Sequence, residues 1–337
     1  MKQTILTEPR VRQILAAAKK TRALVIGDVM LDHFIWGQVG RISPEAPVPV
    51  VDFERENYIP GGAGNVARNL TALGVPTELF GVMGRDVFAG KLKQLLATQQ
   101  IGCSGLHAHA GRLTSMKTRI VAHQQQVVRL DRESRHDLDK RASQKLFAAL
   151  KSKIRGAAAV IVGDYGKGVV TQPLLDEIKH LCRQHAVWLS LDPKPVHHLN
   201  LEGLSLITPN RKEAFELARM QDSTRNPDPL KDHNLMQVVE CLLTELRPVL
   251  LLVTLGELGM LLCRSGQKPF HIPTQAQEVY DVSGAGDTVI ASFTLAIAAG
   301  ASATEAAILS NHAAGIVVGK VGTAVTTPGE LLQSFKR

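Results

Sequence analysis

Asp281-Val282-Ser283-Gly284-Ala285-Gly286-Asp287, with the run of apolar and small residues from Thr288 to Ala299 and no breaker before Gly300, is the segment on which the reading of this chain turns. The Gly284-Ala285-Gly286 turn can lay backbone N–H groups against an anion at the start of a buried helix, where the helix dipole adds partial positive charge. Asp287 follows at once. A carboxylate in a first helical turn favours the helix whatever its chemistry, so an N-terminal structural role is open to it. An anion hole with a carboxylate beside it is also what phosphoryl transfer to a hydroxyl requires: the amides take the developing charge and the aspartate takes the hydroxyl proton. Gly284, Ala285, Gly286 and Asp287 are the catalytic candidates.

Two other phosphate-binding motifs are excluded by inspection. No Gly-x-x-x-x-Gly-Lys-Ser/Thr occurs, because Gly163-Asp164-Tyr165-Gly166-Lys167-Gly168 has the wrong spacing. No Gly-x-Gly-x-x-Gly follows the first strand, where Leu24-Val25-Ile26-Gly27 runs into Asp28-Val29-Met30-Leu31-Asp32.

Around the opening segment, short β-branched runs alternate with longer helical patterns. Strands are expected at residues 23–27, 77–83, 158–163, 187–192, 204–208 and 249–254, and helices near 86–98, 140–154, 172–185 and 211–219. Hydrophobicity that is continuous rather than alternating fits strands buried on both faces, hence a doubly wound, mostly parallel α/β sheet. Two stretches break the rhythm. Residues 48–58 and 114–130 mix apolar and polar residues as one-sided strands do, and can pair with each other into a small sheet. Residues 222–232 form a polar excursion read as a surface loop.

A second glycine turn, Pro60-Gly61-Gly62-Ala63-Gly64-Asn65, opens a helical run from Val66 to Leu73, and Asn210-Arg211-Lys212-Glu213 follows the strand ending near Thr208. With Thr254-Leu255-Gly256-Glu257-Leu258-Gly259 and the Asp287 segment, this ordered set resembles the ribokinase (PfkB) family of carbohydrate kinases. The first family signature matches Gly61, Gly62, Gly64, Asn65, Ala67, Gly74 and Gly84. The second matches residues 281–291, with Ser292 where Ala or Gly is usual. The resemblance covers residues 27 to about 326 and implies a single ribokinase-like kinase domain over 1–337 with a β-sheet lid, its segments at about 34–59 and 112–131. Lid sheets in that family often clasp each other across a homodimer.

Finer features, among them residues 27–32, 40–50, 164–168 and Asp192-Pro193-Lys194, look like the branch that phosphorylates D-glycero-β-D-manno-heptose 7-phosphate at O1 on the route to lipopolysaccharide. Many members of that branch carry a C-terminal cytidylyltransferase domain; here the chain stops at Arg337, which implies the monofunctional kinase. A kinase for another sugar or nucleoside, or a non-catalytic sensor on the same fold, is the alternative.

The resemblance distributes the remaining roles. Asp28, Asp32, Gly61, Gly62 and Asn65 would hold sugar hydroxyls, although on sequence alone the two aspartates serve equally as turn and capping residues. Asn210 and Glu213, one helical turn apart, would lie by Mg2+ and the triphosphate of ATP, acting through water; a solvated helix start explains the spacing as well. Lys194 would reach the nucleotide phosphates or be an ordinary surface lysine. Thr254, Gly256, Gly259, Asn311, Gly322 and Thr323 are the candidates for the adenine and ribose pocket. The family's monovalent-cation (K+) loop corresponds to Asp281, Ser283 and Thr326, with Lys320 lying inside it. A phosphorylated substrate needs cations at its far end, for which Arg85, Lys117, Arg119 and Lys167 are the candidates; Lys117 and Arg119, at i and i+2 of a strand, share a face.

Composition excludes other classes. The 337 residues are 45% hydrophobic, as a globular core requires, and the net charge of +8 is spread thinly with only 4% aromatics, against nucleic-acid binding. Phosphorylated sugars and ATP are sufficient anionic partners. The cysteines, Cys103, Cys182, Cys241 and Cys263, have no zinc spacing and fit reduced thiols of a cytoplasmic protein. The longest apolar stretch is well short of the roughly 20 residues a membrane span needs.

Overall fold

The computed structural model describes residues 6–123, 125–195, 199–276 and 278–336. The alternation within one strand shows how the layers form. In β1 (Ala23–Gly27), Leu24 and Ile26 enter one buried cluster while Ala23 and Val25 enter the other. With both faces covered, the strand has no polar side to display, which is why its sequence is apolar throughout.

Among the described residues the large sheet has nine strands. In chain order they are β1, β4 (Thr77–Met83), β5 (Gly102–Ala108), β8 (Ala159–Gly163), β9 (Trp188–Asp192), β10 (Leu206–Ile207), β11 (Leu250–Thr254), β12 (Met260–Cys263) and β13 (Phe270–Ile272). Across the sheet the order is β13-β12-β11-β10-β9-β8-β1-β4-β5, parallel except for the antiparallel β12 and β13. One face carries α1 (Glu8–Ala18), α2 (Ala63–Ala72), α3 (Val87–Thr98), α8 (Ala285–Ala298), α9 (Ala303–Val318) and α10 (Pro328–Ser334). The other carries α4 (Lys140–Lys153), α5 (Gln172–Gln184), α6 (Arg211–Leu217) and α7 (His233–Leu246). α8 is buried from Asp287 to Ala296 because it lies among α1, α2, α9 and the strands β8 and β9, so it is apolar around its whole circumference.

The six expected strands of this sheet are present, the fifth trimmed to two residues. The small sheet differs in detail from expectation. It has four strands, β2 (Val29–Ile42), β3 (Pro49–Gly62), β6 (Ser115–Ala122) and β7 (Gln125–Arg132), in the order β3-β2-β6-β7. The two one-sided stretches do not pair with each other: β2 lies between them, antiparallel to β3 and parallel to β6. Residues 29–34 of β2 are all buried, so no alternation marks the strand in the sequence. β2 follows β1 after the single residue Asp28, so the small sheet is anchored at the sheet's C-terminal edge, where open α/β sheets take their ligands.

Candidate active site

Asp287 lies in the first turn of α8, buried, with both carboxylate oxygens engaged. The Tyr165 hydroxyl donates to Oδ1 at 2.5 Å and Asn65 Nδ2 donates to Oδ2 at 2.7 Å. Burial pushes its carboxyl up to about 6; these two hydrogen bonds and the Lys117 ammonium oppose the rise, and the negative Asp32 adds to it. Gly284 caps the helix in the left-handed region at φ 81°, and a Cβ there would fall 2.6 Å from Asn65 Nδ2. Only glycine allows the turn and the close approach together. The Ala285 amide donates to Val282 O at 3.2 Å, while those of Gly286 and Asp287 have no acceptor among the described residues and sit at the positive end of the helix dipole.

The small sheet supplies the next group. Asp32 on β2 is the register partner of Lys117 on β6, and Phe34 is the partner of Arg119. Arg119 Nη1 donates to Asp32 Oδ1 at 2.5 Å, and its guanidinium lies 5.1 Å from the centre of the Phe34 ring. Lys117, two residues earlier on the same face, is half-buried with no ion pair or hydrogen bond among the described residues, and burial lowers its pKa. A Cβ on Gly61 would lie 2.4 Å from Asp32 Oδ2, so glycine is what lets this end of β3 pass the carboxylate. Lys167 Nζ pairs with Glu133 at 2.6 Å. Arg85 is exposed and has no hydrogen bond or ion pair among the described residues.

Asp28 is placed differently from the sugar contact expected of it. It is 1% exposed, and its oxygens accept from the amides of Tyr165 (2.9 Å), Lys167 (3.0 Å) and Val169 (3.1 Å). Its carboxylate binds the turn after β8, the turn-fixing role that its residue type left open. Burial raises its pKa, against the pull of those amides.

Thr323 also departs from its expected place by the adenosine. Its hydroxyl lies 3.4 Å from Asp32 Oδ2, its carbonyl accepts from Arg68 at 3.1 Å, and its methyl faces Gly284, so it belongs with the Asp32–Asp287 group. The adjoining Gly322 amide donates to Asp281 Oδ2 (3.1 Å), and Ser283 N donates to Oδ1 (2.8 Å). The side chain of Asp281 thus ties the two loops together through their amides. Lys320 Nζ donates to Val325 O at 2.9 Å and pairs with Glu330 at 2.6 Å, while Thr326 donates to Ala313 O at 3.0 Å. The loop expected to hold a monovalent cation contains an ammonium of its own.

Asn210 and Glu213 form a reciprocal capping box on α6: Asn210 Oδ1 accepts from Glu213 N and Glu213 Oε2 accepts from Asn210 N, both at 3.0 Å. Their spacing is that of a helix start, the alternative their positions allowed. Lys194 Nζ donates to Glu213 Oε1 at 3.1 Å. Asp192, half-buried at the end of β9, accepts from Thr208 at 2.9 Å; desolvation of its carboxyl, Glu213 and Asp287 together hold it well above the ordinary range. A Cβ on Gly286 would fall 3.8 Å from Asp192 Oδ2, so this acidic group borders the anion turn. These hard oxygens, with the Lys194 ammonium already paired to one of them, fit a divalent cation met through water better than one bound directly.

The other nucleotide candidates are more scattered. Thr254 bridges to Asn210 beside β11, Gly256 opens an exposed 3₁₀ turn, and Gly259 packs on Ile272 O. Asn311 is buried on α9 and donates to Pro273 O at 2.7 Å. None of them lines the cavity of about 700 Å3 between residues 275 and 278–280, α9 and α10, whose wall includes Gln275, Glu278, Tyr280, His312 and Gly315. His312 stacks on Phe335 at 3.8 Å, and burial pushes it down to about 4, so the ring is neutral above that pH.

Two residues of the site are not among the candidates drawn from the sequence. Tyr165 reaches Asp287 from the turn after β8. Arg68, one turn after Asn65 on α2, donates to Asn65 Oδ1 at 2.9 Å and to Thr323 O, and burial lowers it to about 10 against the pull of Asp32 and Asp287. Its i+3 spacing from Asn65 was the available clue.

Fold and site together define a phosphoryl-transfer enzyme acting on a small polyol. Residues 20–329 match the pfkB family carbohydrate kinase model, and the chain belongs to that family: it is a carbohydrate kinase. It is 42% identical over 92% of its length to "Bifunctional protein HldE" of Desulfatibacillum aliphaticivorans, and 40% identical over 96% to the HldE of Geotalea uraniireducens (strain Rf4). The chain spans 62% and 64% of the length of those two proteins. Its fold superimposes on Arabidopsis thaliana ribokinase complexed with ribose and ATP (TM-score 0.72, 19% identity, 94% of this chain and 99% of that one). It also superimposes on Escherichia coli phosphofructokinase-2 (TM-score 0.77, 17% identity, 94% and 98%). Among the described residues no helix is long and apolar enough to cross a membrane.

Proposed function

We propose that this carbohydrate kinase transfers the γ-phosphoryl group of ATP to O1 of D-glycero-β-D-manno-heptose 7-phosphate, giving the 1,7-bisphosphate and ADP, in the supply of activated heptose for lipopolysaccharide. The observation that carries the reading is the pairing of two groups in one cleft. Asp287 stands beside the α8 amides that have no acceptor among the described residues, and the Lys117 ammonium, with no ion pair among them, stands beside Asp32. The first suits a hydroxyl about to be phosphorylated, and the second suits an acceptor that already carries a phosphate. The motifs that resemble the heptose 7-phosphate branch point to the same acceptor.

In this reading Asp287 accepts the O1 proton as the O1–P bond forms and the bond to the bridging oxygen of ADP breaks, while the Gly286 and Asp287 amides meet the charge on the transferring group. Asp32, held by Arg119, and Asn65 orient the sugar hydroxyls. Asn210 and Glu213, with Lys194 beside them, would hold Mg2+ through water, and when bound the ion would neutralise charge on the phosphates of ATP. The adenosine end lies in the cavity beside His312 and Gly315, whose wall at residues 278–280 runs directly into the anion turn. A second cation in the loop containing Lys320 is disfavoured by that residue's own charge. The enzyme acts as a cytoplasmic homodimer whose lid sheets meet.

An ADP-release assay over a panel of sugar phosphates, free sugars and nucleosides tests the substrate. The highest kcat/KM is expected for the heptose 7-phosphate, and a higher value for a nucleoside or an unphosphorylated sugar overturns the assignment.

A further inference from the structure

Among the described residues Tyr165 is the one neutral hydroxyl that touches the carboxylate of Asp287, and several contacts fix the turn that carries it. The turn that carries it follows β8. Three of its amides, those of Tyr165, Lys167 and Val169, end on the buried carboxylate of Asp28. A fourth, that of Gly166, donates to Asp164 Oδ1 at 3.0 Å. The buried Arg112 also donates to the Lys167 and His136 carbonyls. A turn so tied cannot drift, and the phenol it presents is fixed against Asp287 Oδ1 at 2.5 Å.

The need for such a donor follows from the burial of Asp287. A buried carboxylate without donors takes up a proton and is no longer a base. Asp287 has no ion pair within 4 Å among the described residues. The charges that face it are Arg68 from α2, Lys117 from β6, and the acidic Asp32 from β2 and Asp192 from β9. With cations and carboxylates on both sides, the direct donors Asn65 and Tyr165 decide its state. The phenol is itself held well above its ordinary pKa by burial and by Asp287, so it remains a donor throughout the working range and neither gives nor takes the transferred proton.

We infer that Tyr165 is a positioning residue for phosphoryl transfer: fixed by Asp28 through the backbone of residues 165–169, its hydroxyl keeps the buried Asp287 ionised and aimed until the acceptor hydroxyl arrives. The inference rests on Asp287 being the base, as proposed above. It gives Asp28 a part in the reaction without contact with the sugar, through three amides and one phenol.

The test is Tyr165→Phe, which removes one oxygen atom from a buried site. The first measurement needs no turnover. With 13C-labelled aspartate carboxyls, the Asp287 resonance, identified by its loss in Asp287→Asn, is followed against pH in the unliganded protein. Loss of one donor to a charged acceptor should raise the midpoint by about one to two pH units. Asp28→Asn, which loosens the turn, should raise it in the same direction by less. The second measurement is the pH profile of kcat/KM for the best sugar of the panel, whose acidic limb should move up with the carboxyl midpoint while the KM for ATP stays within a fewfold. An unchanged Asp287 midpoint in Tyr165→Phe overturns the inference, and a shift there with none in Asp28→Asn overturns the link to Asp28. Absence of turnover on every compound in the panel defeats the proposed function instead, and the carboxyl titration still decides the place of Tyr165.

Discussion

Asn65 Nδ2 and Asp287 Oδ2 lie 2.7 Å apart although 222 positions separate them in the chain. That contact joins the start of α2 to the start of α8, the two glycine-bounded helices of the site. Its direction is set by Arg68, which donates to Asn65 Oδ1 and so leaves the amide nitrogen as the group facing the aspartate.

Asp287→Asn removes the base while its amide oxygen can still accept from Asn65 and its NH2 can donate to the Tyr165 hydroxyl. Turnover should fall by about 10²- to 10⁴-fold, while ATP affinity stays within a fewfold, since the nucleotide meets amides and a cavity and not this carboxylate. Steady-state rates with calorimetric titration of ATP check both halves. A variant that keeps its rate within a fewfold would mean that another group takes the proton.

The raised carboxyl of Asp287 fixes the sense of two pH effects. As a base it works ionised, so kcat/KM should rise with pH through about 6 and level above it. As a buried acid with folded pKa above its unfolded value, 3.8 against about 6, it binds a proton more tightly folded than unfolded between those limits. Its contribution to stability is therefore fully present below about pH 4 and is lost as pH rises through 6, a change of roughly 3 kcal/mol. Denaturant unfolding of the parent and of Asp287→Asn at pH 4 and pH 7 should show the difference moving in favour of the variant by up to that amount. A constant difference would contradict it.

Lys117 and Arg119 share a face but not a task. Lys117→Ala should lower kcat/KM for the phosphorylated sugar by about 10- to 150-fold, the equivalent of roughly 1.5–3 kcal/mol for one charge-assisted contact, with little effect on an unphosphorylated analogue. Arg119→Ala frees Asp32 and should weaken both sugars alike. Asp32→Ala should likewise raise the sugar KM and leave ATP affinity nearly unchanged. Equal losses on the two sugars for Lys117→Ala would show that this lysine supports the lid and does not meet the phosphate.

The lid exposes apolar side chains along its strands: Phe53 is 64% and Leu130 66% exposed, with Ile42 and Val128 close behind. A single-layer sheet carrying such residues on its surface fits a partner sheet. Sedimentation should give a dimer for the parent and a monomer for Phe53→Lys/Leu130→Lys at the same concentration; a monomeric parent contradicts the proposed clasp.

Much of this was legible in the sequence because burial on both faces writes itself as unbroken apolar runs, and because the glycine turns carry their own conformational demand. The residues that escaped did so for physical reasons. β2 is buried over its first six residues and shows no alternation, so the small sheet was read with two partners adjacent that are in fact separated by a strand. Asp28 and Asp32 are equivalent in sequence, and only the fold turns one toward three amides and the other toward Arg119. Asn210 and Glu213 have the spacing of a capping box and form one, which the spacing permitted but did not choose. Tyr165 meets Asp287 and Arg68 meets Thr323 across long sequence separations, which no local pattern specifies.

The most direct measurement of the central claim is 31P NMR of the product formed from ATP and D-glycero-β-D-manno-heptose 7-phosphate by the parent enzyme and by Asp287→Asn. The parent should give a sugar with two phosphate resonances, the original 7-phosphate and a new one coupled to the anomeric proton, and the variant should give almost none of it. Phosphate on any other oxygen, or the same product at the parental rate from Asp287→Asn, contradicts the account.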